Sequence, residues 1–297
     1  MGSLARADED PFVVHRGLLF TVAYELLGSA ADAEDVLQES WIRWAAVDVS
    51  DIREPRAYLV RLVTRQALNQ LRTVARRREE YVGEWLPEPL LISPDVADDV
   101  ELAESLSIAM LTVLETLGPD ERAVFVLREV FDVPYDEIAD AVDKTPAAVR
   151  QIAHRAKRHV WARRPRVRVV RSEFEEVVGR LVAAMNTGDL QGLMDVLAPD
   201  VVSVGDGGGK VQGAARRPIV GADKVARYVL GGMAKTRGAV AAVATRVNGE
   251  PGIRMEMGGR VLAVLGVAID GGRITRIFSI ANPDKLGRID EEAAISR

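Results

Sequence analysis

The chain contains no cysteine in 297 residues. Disulfides, thiolate metal sites and thiol redox sensing are therefore excluded, and the composition suits a reducing cytoplasm, the expected location. Histidine is nearly absent: His15, His154 and His159 are the whole set, and none follows residue 159. A histidine-based acid–base pair cannot operate in the C-terminal part of the chain. No stretch approaches ~18 uninterrupted apolar residues, and the opening MGSLARADED has no apolar run, so neither a membrane span nor a signal peptide is expected. Negative charge is missing from one place only. Thr145–Arg171 is densely basic and holds neither Asp nor Glu, in a chain of net charge -5. A protein that is acidic overall yet gathers positive charge in one block is expected to hold that block against a polyanion.

What is present divides the chain into zones. Residues 11–80 have helical periodicity and end in the basic run Arg76–Arg78. Residues 81–104 differ: Glu84–Glu104 carries three prolines, seven acidic residues and no basic ones, and Pro87, Pro89 and Pro94 forbid a continuous helix. Residues 105–163 are helical again. Over 170–288 two helical patterns precede glycine-rich segments that alternate with β-type runs, Arg260–Asp270 and Arg273–Asn282. The expected fold class is multidomain: two all-α modules, an acidic proline-rich linker between them, and an α+β domain joined through the basic tether Arg163–Arg171.

In the first module, Asp32–Ala45 places Val36, Leu37, Trp41 and Trp44 on one helical face and Asp32, Asp35, Gln38, Glu39 and Arg43 mainly on the other. A solvated acidic face is the plain alternative. The following long helix buries Leu59, Leu62, Val63, Leu68 and Leu71 and lines up Arg61, Arg65, Asn69, Arg72 and Arg76 as one stripe, the pattern of a helix lying along nucleic acid.

Leu117–Val160 is the sharper motif. Gly118-Pro119-Asp120 opens one helix, Pro134-Tyr135 opens a short second one, and Asp143-Lys144 forms a turn. Thr145 caps a third helix with Pro146 in its first turn. That helix turns Val149, Ile152, Ala153 and Ala156 inward and Arg150, Gln151, His154, Arg155, Lys157 and Arg158 outward. This is a helix–turn–helix. Arg150, Gln151 and Arg155 suit base or near-base contacts, while Lys157 and Arg158 suit phosphates. His154 and His159 have no third ligand in view, so no metal is expected.

These residues carry a resemblance. DAEDVLQESW followed by REPRAYL and a basic helix resembles region 2 of the extracytoplasmic-function (ECF) sigma factors of bacterial RNA polymerase, and Leu117–Val160 resembles their region 4. The resemblance implies that Asp32, Asp35, Gln38 and Glu39 face the β′ clamp helices of core polymerase. Arg61, Arg65, Asn69 and Arg72 would hold the minus-10 strand, with Arg56 and Tyr58 near the melting loop, and the third helix of the second module would read the minus-35 element. Region 4 would meet the β flap. The acidic linker would occupy the RNA exit path, against the plain alternative of a solvated linker. Arg65 departs from the family pattern, in which a polar uncharged residue is frequent at that place, so base preference does not transfer.

In the C-terminal part, Asn186–Val202 resembles the opening of SnoaL-like domains of the NTF2-like superfamily, which implies a curved sheet wrapped around a cavity by helices. Without histidine, a lone carboxylate such as Asp206 is the remaining candidate base. The run Gly205–Lys210 gives G-x-x-x-G-K, one residue short of a phosphate loop and followed by Val211 where Ser or Thr is required, so the plain reading is a tight turn. Three motifs, WLPEP (Trp85, Pro87, Glu88), DGGGK (Asp206, Gly207, Gly208, Gly209, Lys210) and NPDKL (Asn282, Pro283, Asp284, Lys285), together resemble the ECF41 group. The resemblance implies a fused domain that regulates from within through contacts among these motifs, no separate anti-sigma factor, no cofactor and no catalysis. Two rivals stay open: a helix–turn–helix regulator that works without polymerase, and a SnoaL-like half that acts as an enzyme or as a receptor for a small-molecule ligand in its cavity.

Overall fold

The computed structural model describes residues 10–79, 81–92, 99–163 and 170–297. The chain divides into two compact units: Met1–Glu79, Val113–Arg163 and Ala294–Arg297 in one, Glu80–Thr112 and Arg164–Ala293 in the other.

The first unit opens with α1 (Pro11–Val14), α2 (Arg16–Leu27), α3 (Ala30–Trp44) and α4 (Pro55–Glu79). Every residue of α2 from Leu18 to Leu27 is buried, which makes it the central helix of this module. Gly28, at φ +68°, ends α2, and Ser29 caps α3 by accepting the Asp32 N–H at 3.2 Å. Of the face expected to be apolar on α3, Val36, Leu37 and Trp44 are buried, but Trp41 remains 39% exposed. Its ring meets only the edge of Phe12, 5.2 Å away, because the one-turn α1 is too short to cover it.

After the linker elements β1 (Leu91–Ile92), α5 (Val100–Leu106) and α6 (Ile108–Leu114), the unit resumes with α7 (Pro119–Phe125), α8 (Tyr135–Val142) and α9 (Pro146–Trp161). A π-helical turn, Val126–Val130, extends α7. Asp143 closes α8 at φ +56°, a conformation that a short polar side chain tolerates. Thr145 Oγ1 accepts the Ala148 N–H and so starts α9. The sequence periodicity is realised: Val149, Ile152, Ala153, Ala156 and Val160 are buried. At the C-terminus Ile295 is buried, and the Ser296 N–H donates to Thr21 Oγ1 on α2 at 3.1 Å.

The second unit holds α10 (Arg171–Thr187), α11 (Leu190–Val196), β2 (Leu197–Asp206), β3 (Ile219–Val220), α12 (Ala222–Lys235), β4 (Ala241–Val247), β5 (Glu250–Met257), β6 (Arg260–Asp270), β7 (Arg273–Ile280) and β8 (Glu292–Ala293). Six strands form one sheet in the order β3-β2-β7-β6-β5-β4, with β2 parallel to β7 and the other pairs antiparallel. Its hairpins close on two-residue turns: Asn248-Gly249, Gly258-Gly259 and Gly271-Gly272. All six residues have positive φ, as the twist-matched primed turns require.

Period-two alternation gives the sheet two apolar faces. Leu265, Val267, Ile269 and Ile277 join Leu181, Met185, Leu193 and Val225 of the three helices in one buried cluster. Val264, Ala268, Phe278 and Ile280 point the other way and join Leu86 and Ile108 of the linker. The linker is thus the second layer over this sheet. Gly266 provides the room: a Cβ there would lie 3.2 Å from Ile108. β1 adds a short parallel pairing with β8.

Candidate nucleic-acid interface and linker cradle

On α3, Asp35, Gln38 and Glu39 are exposed and lie on one face, with Glu39 paired to Arg43 at 2.8 Å. Asp32 is drawn away from that face. It is half-buried and accepts a hydrogen bond from Gln70 of α4 at 3.1 Å. The stripe on α4 is real: Arg65, Asn69 and Arg72 are exposed and Arg61 is half-exposed. Arg56 is exposed in the first turn. Tyr58 is neither free nor fully in the core. Its ring lies 5.8 Å from Trp44, and the Arg61 guanidinium sits over it at 5.5 Å. Both residues line a cleft of about 460 Å³ with Ile52, Arg53, Glu54, Ala57 and Glu137.

In the helix–turn–helix, Arg150, Gln151, His154, Arg155 and Arg158 are exposed along α9, and Lys157 is half-buried. Two of these cations are held by the module's own carboxylates: Lys157 by Glu129 at 2.6 Å and Arg155 by Glu121 at 3.7 Å. Arg150 and Arg128 both stack on Tyr135. Arg122, one turn into α7, is 1% exposed. Its Nε donates to the Glu25 carbonyl oxygen of α2 at 2.9 Å and its Nη1 pairs with Glu115. Sequence reasoning gave no sign of this buried guanidinium, because an arginine on a helix is ordinarily expected in water.

In the second unit the three short motifs come together around one carboxylate. Asp206 ends β2 and is fully buried. Its Oδ1 accepts from the Tyr81 hydroxyl at 2.6 Å and the Gly208 N–H at 3.1 Å. Its Oδ2 accepts from the Leu86 N–H at 2.9 Å and Lys285 Nζ at 2.7 Å. Lys285 also donates to the Leu86 carbonyl oxygen and lies 3.9 Å from the centre of the Trp85 ring. Asn282 Nδ2 donates to the Tyr81 hydroxyl at 2.8 Å, and Lys210 pairs with Asp284 at 2.5 Å. Pro87 and Glu88 are buried beside them, and Pro283 opens the 3-10 turn that carries Asp284 and Lys285. Burial, reinforced by the Asp206 carboxylate, pushes the Tyr81 hydroxyl well above the ordinary phenol range, so it stays a donor.

The glycines of this turn serve the approach of other segments. Gly208 has φ +58°, and a Cβ on it would lie 2.5 Å from the Asn282 amide. Gly209 has φ +72°, and a Cβ on it would lie 3.1 Å from Val82. The expected tight turn is therefore also a docking surface for linker and tail. Asp206, with four donors on two oxygens and no exposure, has no lone pair left for a substrate proton, which removes the base that the sequence left open.

A second anchor was invisible in the sequence. Asn248, buried at a hairpin turn, accepts the Leu90 N–H with Oδ1 and donates through Nδ2 to the Leu106 carbonyl oxygen, both at 2.9 Å. Asn-Gly predicts the turn, but nothing local predicts that the amide staples two linker positions. Residues 93–98 and 164–169, parts of the acidic linker and of the basic tether, lie outside the described residues. Among the described residues no three His, Cys, Asp or Glu gather as a metal site, and no helix is long and apolar enough to cross a membrane.

A helical bundle with a basic stripe, a capped helix–turn–helix and an appended α+β domain define a multidomain DNA-binding protein. The family model for sigma-70 region 2 matches residues 12–78 and that for sigma-70 region 4 matches residues 107–160. The ECF RNA polymerase sigma factor SigJ of Mycobacterium tuberculosis is 40% identical over 292 residues, covering 93% of this chain and 92% of its own. A probable ECF sigma factor of the same organism, SigI, is 32% identical over 281 residues, with 94% of each chain covered. The crystal structure of the M. tuberculosis SigJ matches with a TM-score of 0.74 at 37% identity, covering 93% of this chain and 97% of that one. The chain belongs to the ECF sigma factors of RNA polymerase, and it carries a C-terminal SnoaL-like domain. Members of this family are transcription initiation factors rather than enzymes: they bind core polymerase and promoter DNA.

Proposed function

We propose that this sigma factor is regulated by its own C-terminal domain, which holds the linker between the two promoter-binding modules. Asp35, Gln38 and Glu39 dock on the β′ clamp helices, with Asp32 bracing α3 from behind. Arg61, Arg65, Asn69 and Arg72 hold the minus-10 strand, with Arg56 and Tyr58 at the melting loop. Arg150, Gln151, His154, Arg155, Lys157 and Arg158 face the minus-35 element, and region 4 meets the β flap. The protein works in the cytoplasm without a separate anti-sigma factor, because the inhibitory contact is internal. A linker that is to enter the RNA exit path must first leave its cradle. The apolar cluster between sheet and helices supports a structural role for the SnoaL-like half over a ligand-binding one.

One observation carries this reading: Asp206, Lys285 and Tyr81 enclose the backbone of Leu86, at the centre of the linker motif. The test uses core polymerase, promoter DNA and the full chain with Asp206→Asn and Lys285→Met together. This change replaces the ion pair by neutral groups of similar size. Hydrogen exchange at Leu86–Leu90 is expected to rise, and promoter-specific transcription to change several-fold with it. Faster exchange with unchanged transcription would overturn the regulatory reading.

A further inference from the structure

The arginine stripe of α4 is not bare. Within the first unit it faces α8, the acidic helix that precedes the helix–turn–helix turn. Arg61 Nη1 lies 3.7 Å from Asp140 Oδ2. Arg65 Nη2 donates to the Asp140 carbonyl oxygen at 2.5 Å. That carbonyl is in the last turn of α8, where the intrahelical partner is missing and the dipole is negative, so a guanidinium is the fitting cap. One turn further along α4, Arg72 Nη2 lies 3.3 Å from Asp120, which also receives Lys144 at 2.9 Å. Glu137, on the same helix as Asp140, lines the cleft that holds Tyr58 and Arg61. Three of the stripe's cations are therefore met by a row of oxygens spaced along a helix, as phosphates would meet them.

We propose that α8 of region 4 masks the arginine stripe of region 2 in the free protein, with Asp140 and Asp120 standing where promoter phosphates will stand. The inference rests on the reading that the stripe binds DNA. It also gives Arg65 a purpose. At a position where the family frequently has a polar uncharged residue, this chain has a guanidinium that caps α8, so Arg65 acts first as a fastener between the modules. The contacts suit a mask that must come off. Asp140 is 67% exposed and the paired arginines 39% and 57%, so each pair is weak and screened by salt. Core polymerase, by separating the modules, would expose the whole stripe in one step, and the free protein would be prevented from gripping DNA on its own.

The test is binding of a fluorescein-labelled single-stranded 20-mer of mixed sequence to the full chain without polymerase, at low and at moderate salt. The variants are Asp140→Asn alone, Asp140→Asn with Asp120→Asn, and each background with Arg61→Gln and Arg72→Gln added. All are surface changes, and melting curves verify that they fold. The double Asn variant is expected to bind about tenfold tighter than wild type at low salt, and the arginine changes are expected to abolish that gain. The single Asn variant should fall between. If the Asn variants bind no tighter while the arginine changes weaken the wild type, the stripe binds DNA unmasked: the inference is overturned and the DNA-binding reading survives. If binding tightens but the arginine changes leave the gain intact, the gain is net charge alone and the mask is refuted. If the arginine changes alter nothing in any background, the stripe does not bind nucleic acid, and both readings fall.

Discussion

At the scale of single residues, the most consequential group is Asp206, because it is charged, fully buried and completely partnered. Removing the charge from one member of a buried pair leaves the other uncompensated, which costs about 3–5 kcal/mol. Asp206→Asn is the conservative form of that change. An amide offers one acceptor oxygen where the carboxylate offers two, and it turns a donor toward Lys285 or toward the Leu86 N–H. The variant is expected to lose about 3–5 kcal/mol of stability in urea unfolding. Adding Lys285→Met should recover part of the loss by removing the orphaned ammonium. Equal stability of wild type and the single variant would show that the carboxylate is not bound as the cradle requires. Gly208 belongs to the same site, since any side chain there would displace Asn282 and with it the amide that holds Tyr81.

At the scale of elements, what the sequence made legible was what is encoded within a dozen residues. The helix–turn–helix could be read because Thr145, Pro146, Asp143 and the spacing of Val149, Ile152 and Ala156 are all local signals. The glycine pairs between β5, β6 and β7 announced hairpins for the same reason. The linker could not be read this way. Its acidity and prolines indicate a solvated or channel-bound strand, yet Tyr81, Leu86 and Leu90 are held by Asp206 and Asn248, more than a hundred residues away. Burial by distant partners leaves no periodicity behind. Asn248→Ala tests the anchor. It leaves the Leu90 N–H and the Leu106 carbonyl unpaired, at about 1–3 kcal/mol each, and puts alanine at a left-handed position. Exchange at the Leu90 amide is expected to rise by at least tenfold. Asn248→Gly, which keeps the turn and loses the staple, should share the faster exchange. If the glycine variant protects Leu90 as well as wild type does, the side chain is not the anchor.

At the scale of the whole molecule, the boundary between units does not follow the boundary between sigma factor and appended domain. The linker folds with the C-terminal half, so a chain ended at residue 165 loses more than a regulator. Leu86 and Ile108 lose the sheet that covers them, about 1.5–3 kcal/mol apiece, and Leu90 and Leu106 lose their Asn248 hydrogen bonds. Against a typical domain stability of about 5–15 kcal/mol, that is enough to unfold the linker. The truncated chain is therefore expected to be cleaved within residues 81–112 by trace protease while the full chain resists, and to bind apolar dyes. Regions 2 and 4 should keep their helical signal, since their cores are built from α2–α4 and α7–α9. Equal protease resistance of the linker in both chains would show that it folds without the SnoaL-like domain. Otherwise a change in transcription on truncation combines lost regulation with an unfolded linker. Point changes in the cradle, which loosen the linker while leaving the sheet in place, are what separate the two.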